Sequence, residues 1–394
     1  MKHRKTMAGV AVVASLVAAG CGSSGSKSTS ANTAASGQQA AASTSSSAGV
    51  AAATAVVQAK QVEPKDIPSL PPLPKAPEKG IKVAFLTCQA TACSLLNPGF
   101  TAAAQALGWS PTVITYSSAQ PGQALQQAID AGYKYIATTS ITLSEITPQI
   151  QEAKAKGIAI FGAYTTDTPG GASNGLYGVA QNGGASQAEG SLIADYVISA
   201  SKGNAHVVYV ELPIYPSLVT GGDAVKAELA KNCPSCSFST LGLTASQLGA
   251  GQGPSAMVSY LQSHPDVNYL LLSFQDLDPG LVPAMRTAGL LGKVKIVGVE
   301  GQANQLKEVE AGTEAAWSIL PEPYVMWTVV DWMARQSEGV LTSSDLAATD
   351  GSNGKEQFLV TNAKEAAAQL AENGGNWPGP ANYQTEFKQL WHVG

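Results

Sequence analysis

Ile81-Lys82-Val83-Ala84-Phe85-Leu86 opens the series that decides the fold. It is short, apolar and rich in β-forming residues, so it predicts a strand. Gly99 to Leu107 then predicts a helix, stopped at Gly108. Thr112-Val113-Ile114-Thr115-Tyr116 reads as a strand, and a helix follows from about Pro121 to Ala131. Tyr135-Ile136-Ala137-Thr138 and Ile158-Ala159-Ile160-Phe161 flank a helix near Ile146 to Lys156. Strands alternating with helices through short loops build a parallel sheet covered on both faces.

The series then restarts. A helix from Ala185 to Ser199 leads into His206-Val207-Val208-Tyr209-Val210. A helix near Gly222–Leu229, a strand near Phe238–Leu243 and a helix from Pro254 to Gln262 follow. Tyr269-Leu270-Leu271-Leu272-Ser273, a helix near Leu281–Ala288 and Val294-Lys295-Ile296-Val297-Gly298 complete it. The fold class is therefore α/β, as two doubly wound parallel-sheet lobes in tandem. Ligands of such sheets sit beyond the carboxyl ends of the strands. Two facing lobes place that edge in a shared cleft.

Composition agrees with this reading. The chain has 394 residues, 44% of them hydrophobic, with 40 glycines. A net charge of −5 argues against nucleic acid or an anionic membrane surface as partner. Residues 22–60 are mostly Ser, Ala, Thr and Gly, and residues 61–80 add Pro64, Pro68, Pro71, Pro72, Pro74 and Pro77. With so few large apolar side chains, residues 21–80 are expected to be a disordered, partly extended tether. A flexible coil of that length reaches about 40 Å.

At the amino terminus, Met1-Lys2-His3-Arg4-Lys5 precedes an apolar run from Ala8 to Ala19 and then Gly20-Cys21. This pattern resembles a bacterial lipoprotein signal peptide, the run being too short to span a bilayer. The resemblance implies removal of residues 1–20, lipid on Cys21 and a place outside the cytoplasm, at the cell surface or in the periplasm. More than one acyl chain gives stable anchoring. In that compartment the remaining cysteines are expected to pair locally, Cys88 with Cys93 and Cys233 with Cys236. Reduced buried thiols are the alternative for the first pair. The second, a C-x-x-C without a second pair or clustered histidines, reads as a surface disulfide rather than a metal site.

Several segments fall in a telling order. These are Asn97-Pro98-Gly99-Phe100, Val179-Ala180-Gln181-Asn182 with Glu189-Gly190, and Ser273-Phe274-Gln275-Asp276. Val297-Gly298-Val299-Glu300-Gly301 and Ser318-Ile319-Leu320-Pro321 follow, and the tail carries Trp377-Pro378, Tyr383, Phe387 and Leu390-Trp391. In this order they resemble the type I periplasmic binding proteins, within them the ribose/galactose-like sugar-binding group. The related DNA-binding repressors carry a helix-turn-helix where this chain has a leader and tether.

The resemblance implies three crossings between lobes, near Gln181–Gly183, Ile319–Pro321 and Gly339–Gly351. It assigns residues 81–181 plus 320–340 to the first lobe, and 182–319 plus 341–394, with the tail, to the second. Helix Tyr324–Gln336 would pack on the first lobe, and strand Gln357–Thr361 would join the second. The implied mechanism is hinge closure on a sugar or sugar-like molecule, delivered to the separate permease of an ABC importer. A sensing receptor for a membrane kinase or chemoreceptor is the alternative. A monomer without cofactor or metal is expected, and no enzyme.

Carried over position by position, the implied pocket takes Thr87 or Cys88, then Asn97, Phe100, Thr139 or Ser140, and Tyr164 from the first lobe. Gln275 and Glu300 come from the second. Asn97 reads equally as a helix cap, Phe100 as core and Tyr164 as a turn residue. Asp276 reads as a support for the following helix and Trp327 as core, while Trp317 fits either role. The arginines that the family uses are missing: none stands at Ser217–Val219, and Thr165 and Ile319 occupy other expected polar positions. The expected ligand is accordingly less densely hydroxylated than a simple hexose, or smaller, or partly apolar.

Two motifs of enzymes also occur. Gly171-Ala172-Ser173-Asn174-Gly175 matches G-x-S-x-G but precedes a strand instead of following one. Gly249-Ala250-Gly251-Gln252-Gly253 lacks the Gly-Lys-Ser/Thr ending of a phosphate loop.

Overall fold

A computed structural model describes residues 33–394, with side chains described from residue 47. The expected leader, Cys21 and the first part of the tether lie outside the described residues. Helix α1 (Thr33–Lys60) comes first. β1 (Lys82–Thr87), α2 (Thr91–Ser94), α3 (Asn97–Ala106), β2 (Ser110–Thr115) and α4 (Pro121–Asp130) follow. β3 (Tyr135–Thr139), α5 (Thr147–Ala155), β4 (Ala159–Ala163) and β5 (Leu176–Ala180) complete the first sheet.

The second lobe begins with α6 (Gly183–Ser201), β6 (His206–Glu211), α7 (Pro216–Asn232) and β7 (Ser237–Gly242). Next come α8 (Ala245–Gly249), α9 (Gly253–Ser263), β8 (Tyr269–Leu272), α10 (Leu281–Thr287) and β9 (Lys295–Gly298). α11 (Ala303–Glu310) and β10 (Ala316–Ile319) precede α12 (Glu322–Ser337) and α13 (Ser343–Thr349). β11 (Phe358–Val360), α14 (Ala363–Asn373) and α15 (Tyr383–Leu390) end the chain.

The first sheet has the order β2-β1-β3-β4-β5 and the second β11-β10-β9-β8-β6-β7. Stripped of β11, the second repeats the order of the first, so each lobe is the same doubly wound unit. All pairings are parallel except β11, which runs antiparallel to β10. Apart from Lys82, β1 is buried, and β3 and β4 are buried throughout. Helices on both faces explain why these strands read as unbroken apolar runs. Alternation within them feeds two cores: Val83 and Phe85 face one, Ala84 and Leu86 the other. The second lobe repeats the device with Val208 and Val210 against Val207 and Tyr209.

Prolines open α4, α7 and α9 at the first helical turn, where the missing N–H costs nothing. The Asn182 side chain caps α6 by accepting from the N–H groups of Gly184 and Ala185. α6 and α7 cross at glycines. A Cβ on Gly190 would lie 2.2 Å from the Gly221 carbonyl oxygen, so a side chain there would force the helices apart.

Three expectations need correction. The tether is not a free coil from residue 33 on. Val50, Ala53 and Val57 lie along one face of α1 and pack on the second lobe beside Ile193, Leu192 and Leu359. Further on, Leu73 is 2% exposed in the core of the first lobe, and its N–H donates to the Leu390 carbonyl. The lobe boundaries also move. α13 packs on β5 and α12, so residues 343–349 belong to the first lobe. The tail returns there too, with Trp391 stacked on Trp327 at 5.3 Å between ring centres. Finally, the Cys233–Cys236 disulfide is not a surface staple, because Cys233 is fully buried.

Candidate functional site

The cleft between the lobes is built at the carboxyl ends of the strands. Cys88 follows β1, Ser140 follows β3, Tyr164 follows β4 and Gln181 follows β5. From the other lobe, Phe274 stands two residues beyond β8, Glu300 two beyond β9, and Glu322 opens α12 after β10. Four of these residues adopt left-handed backbone conformations, with φ of 55° at Ser140 and Tyr164, 47° at Gln181 and 62° at Glu300. Such angles are costly for residues with a Cβ. Three stand on the first-lobe rim and Glu300 on the second, and strain of this kind gathers at binding sites.

Cys88, Thr139, Ser140 and Tyr164 line one side of a cavity; Tyr215, Phe274 and Glu300 line the other. Glu322, at the start of α12 on the crossing segment, also lines it. The cavity encloses about 530 Å³ of space free of atoms, its open mouth included. A second chamber shares Tyr164 and Glu300 and adds Gln181, Glu189, Tyr209 and Ser273. Much of the lining is apolar: Ala92, Leu96, Leu218, Phe274 and the disulfide.

The polar groups are unusual in kind. Among the described residues, no Lys, Arg or His lines either chamber. Glu300 is 8% exposed and Glu322 only 4%. Their partners are neutral amides. Gln302 Nε2 donates to both Glu322 oxygens at 3.2 Å. Gln275, with its amide nitrogen turned toward Glu300, donates to Oε2 and to the main-chain oxygen at 3.0 Å. Burial pushes Glu322 up to about 7, while a backbone N–H and Gln302 pull it back. Burial, then the charge of Glu322, raises Glu189 to about 8. Glu300 is held well above the ordinary carboxylate range by burial, then by Glu189, Glu322 and Asp276. The Tyr164 hydroxyl is buried without a hydrogen-bond partner.

The Cys88–Cys93 disulfide forms as expected, with an S–S distance of 2.04 Å. It encloses the start of α2, and Thr87 Oγ1 donates to the Cys93 carbonyl at 3.1 Å. Asp276 does not support its own helix. Its Oδ2 accepts from the Ala92 N–H at 3.3 Å, so a carboxylate of the second lobe clasps the disulfide loop of the first. Replacing both Cys88 and Cys93 by serine is expected to lower unfolding free energy by about 2 kcal/mol, read by urea titration. Native-state hydrogen exchange should quicken in residues 88–96 and leave β4 and β5 unchanged.

The cavity brings together Cys88, Thr139, Tyr164 and Glu300 from the expected set. Gln275 lines the neighbouring groove and supports Glu300. Phe100 is a correction: it is fully buried and packs on Phe85 at 5.4 Å, inside the first-lobe core. α3 presents Phe100, Ala103, Ala104 and Leu107 to that core at helical spacing, which holds the ring away from the cleft. Asn97, the first residue of α3, is not among the lining residues and does not cap the helix, the cap position being Leu96; its side-chain oxygen is buried without a hydrogen-bond partner. Trp317 lies in the core and donates to Glu314. Glu322, Tyr215 and Phe274 were missed. Phe274 stands just beyond β8, Tyr215 is the cap position of α7 and Glu322 begins α12, and placement in the segments that follow strands is their signal.

Comparison with known proteins adds the family. A model described as a periplasmic binding protein domain matches residues 85–339. The chain belongs to this family. Its members are binding proteins rather than enzymes. Solved structures share the two-lobed fold. One is a 5-methylthioribose transporter solute-binding protein from Thermotoga lettingae, with TM-score 0.64 and 16% identity, covering 84% of this chain and 100% of that one. A second is a carbohydrate transporter protein from Acidothermus cellulolyticus in complex with myo-inositol, at 0.62 and 16%, covering 75% and 99%. A third is the binding component of an arabinose ABC transporter from Shewanella sp. ANA-3, at 0.62 and 17%, covering 78% and 98%. At these identities the likeness shows the fold. Comparison with curated proteins gave no match. In this periplasmic binding domain the G-x-S-x-G match is a short helical turn before β5, at the end of the strands opposite the cleft.

Proposed function

We propose that the chain is an extracytoplasmic solute-binding lipoprotein that closes on one small molecule and delivers it to an ABC importer. The observation that carries this reading is one cavity lined by left-handed Tyr164 and Glu300, one from each lobe, together with the crossing residue Glu322. The segments joining the lobes support hinge motion. At the first, Gln181 Nε2 donates to Glu356 at 3.2 Å and Asn182 Nδ2 to Asp350 at 2.9 Å, so two crossings are tied side by side. Motion about such paired strands needs only a few dihedral changes. The ligand class is sugar-like, as the named ligands of the structural relatives suggest, but less hydroxylated than a hexose. Cys88, Thr139, Tyr164 and Glu300 would contact it, with Gln275 positioning Glu300.

Small-angle scattering tests closure. Protein stripped of ligand by unfolding and refolding is expected to expand relative to protein purified gently. Identical scattering in both states would overturn hinge closure. Anchoring is tested by metabolic labelling with a fatty acid, where label should reach the wild type and not the Cys21→Ser variant.

A further inference from the structure

We infer that the ligand of this cleft carries a positively charged nitrogen. The inference rests on the binding-protein reading above and narrows its ligand. Buried carboxylates are normally paired with a cation. Here Glu300 and Glu322 face the main chamber and Glu189 faces the adjoining one. Asp276 lies on the neighbouring groove, and the hinge carboxylate Glu356 is buried on the crossing segment. Among the described residues no Lys, Arg or His lines either chamber or that groove. The amides of Gln275 and Gln302 satisfy oxygens but supply no charge.

The rest of the wall suits an organic cation. Tyr164, Tyr215 and Phe274 line the same cavity as the carboxylates. Aromatic faces attract ammonium groups, more strongly when water is excluded. A bare metal ion fits poorly, since among the described residues no group of three or more His, Cys, Asp or Glu is placed to hold one. A compact body with one ammonium group would match the apolar part of the lining and pair with carboxylates that otherwise share a small space. Burial raises the proton affinity of Glu189, Glu300 and Glu322, a cost to the carboxylate form that a bound ammonium group would offset.

Matched pairs of probes test this. Thermal unfolding is followed with choline against its neutral isostere 3,3-dimethylbutan-1-ol, and with D-glucosamine against D-glucose, each at millimolar concentration. At least one ammonium member should raise the midpoint by about 2 °C or more, its neutral partner by far less. Glu300→Gln/Glu322→Gln, shown to be folded by near-UV circular dichroism, should lose the response. Calorimetry in two buffers of different ionisation enthalpy should show protons released on binding to the wild type. Equal stabilisation by a neutral partner, or no response to either ammonium probe, overturns the inference. A neutral probe that alone contracts the protein in scattering overturns the charge assignment and leaves the binding reading intact.

Discussion

Arg335→Met should cost about 3–5 kcal/mol of unfolding free energy, more than any surface change in this protein. Arg335 and Asp331 are each 1% exposed and joined at 2.6 Å on one face of α12. The pair does not stand alone. Arg335 Nη1 donates to the Pro71 carbonyl at 3.0 Å, and Asp331 Oδ1 accepts from Trp391 Nε1 at 2.8 Å. One ion pair therefore ties the proline-rich segment, α12 and the tail into the first lobe. Removing the guanidinium strands a carboxylate that burial already pushes up and that Arg335 pulls back. Removing both charges, as in Asp331→Leu/Arg335→Met, should recover part of the loss, because apolar replacement removes the desolvation penalty as well. Chemical denaturation checks both variants. Equal stability of Arg335→Met and wild type would refute the coupling.

The second large effect is a dependence on pH. Glu322 titrates near 7 and Glu189 near 8 in the folded chain, against 4.5 for an ordinary glutamate, with Glu300 raised alongside them. The folded state thus holds protons that the unfolded state has released. Stability of the ligand-free protein is fullest below about pH 4.5 for these groups and declines as pH rises through about 7 to 8. The loss attached to Glu322 is on the order of 3 kcal/mol. Other groups contribute to the whole profile. The difference between wild type and Glu322→Gln isolates this one, and the variant should gain on wild type from pH 5 to 8.5. Parallel profiles would show that Glu322 is not buried as an acid. Tyr164, Tyr209 and Asp276 interact with the cluster of Glu189, Glu300 and Glu322, and neither they nor Glu356, which interacts with Tyr164, supplies a countercharge.

The architecture was legible because its strands are buried on both faces. Runs such as Ile136-Ala137-Thr138 and Leu270-Leu271-Leu272 have one meaning once helices alternate with them. Cavity-lining residues were legible where position alone places them, as with Tyr164 and Glu300 just beyond strands. Phe100 is core because helical periodicity groups it with Ala103, Ala104 and Leu107, a local signal stronger than the segment pattern Asn97-Pro98-Gly99-Phe100. α1 was hidden by its composition. Ala, Ser and Thr carry little hydrophobic signal, yet alanine is the best helix former. Val50, Ala53 and Val57 form a stripe just wide enough to dock. The return of the tail to the first lobe depends on Trp327, Phe387 and Trp391 meeting from distant parts of the chain, which no local pattern encodes.

Native mass spectrometry of protein purified without denaturation tests the cleft most directly. Wild type should carry one small molecule per chain. Ala92→Trp, which fills the cavity between the disulfide loop and Phe274, should carry none while unfolding at a similar temperature. An adduct of the same mass and occupancy in both proteins would contradict capture in this cleft.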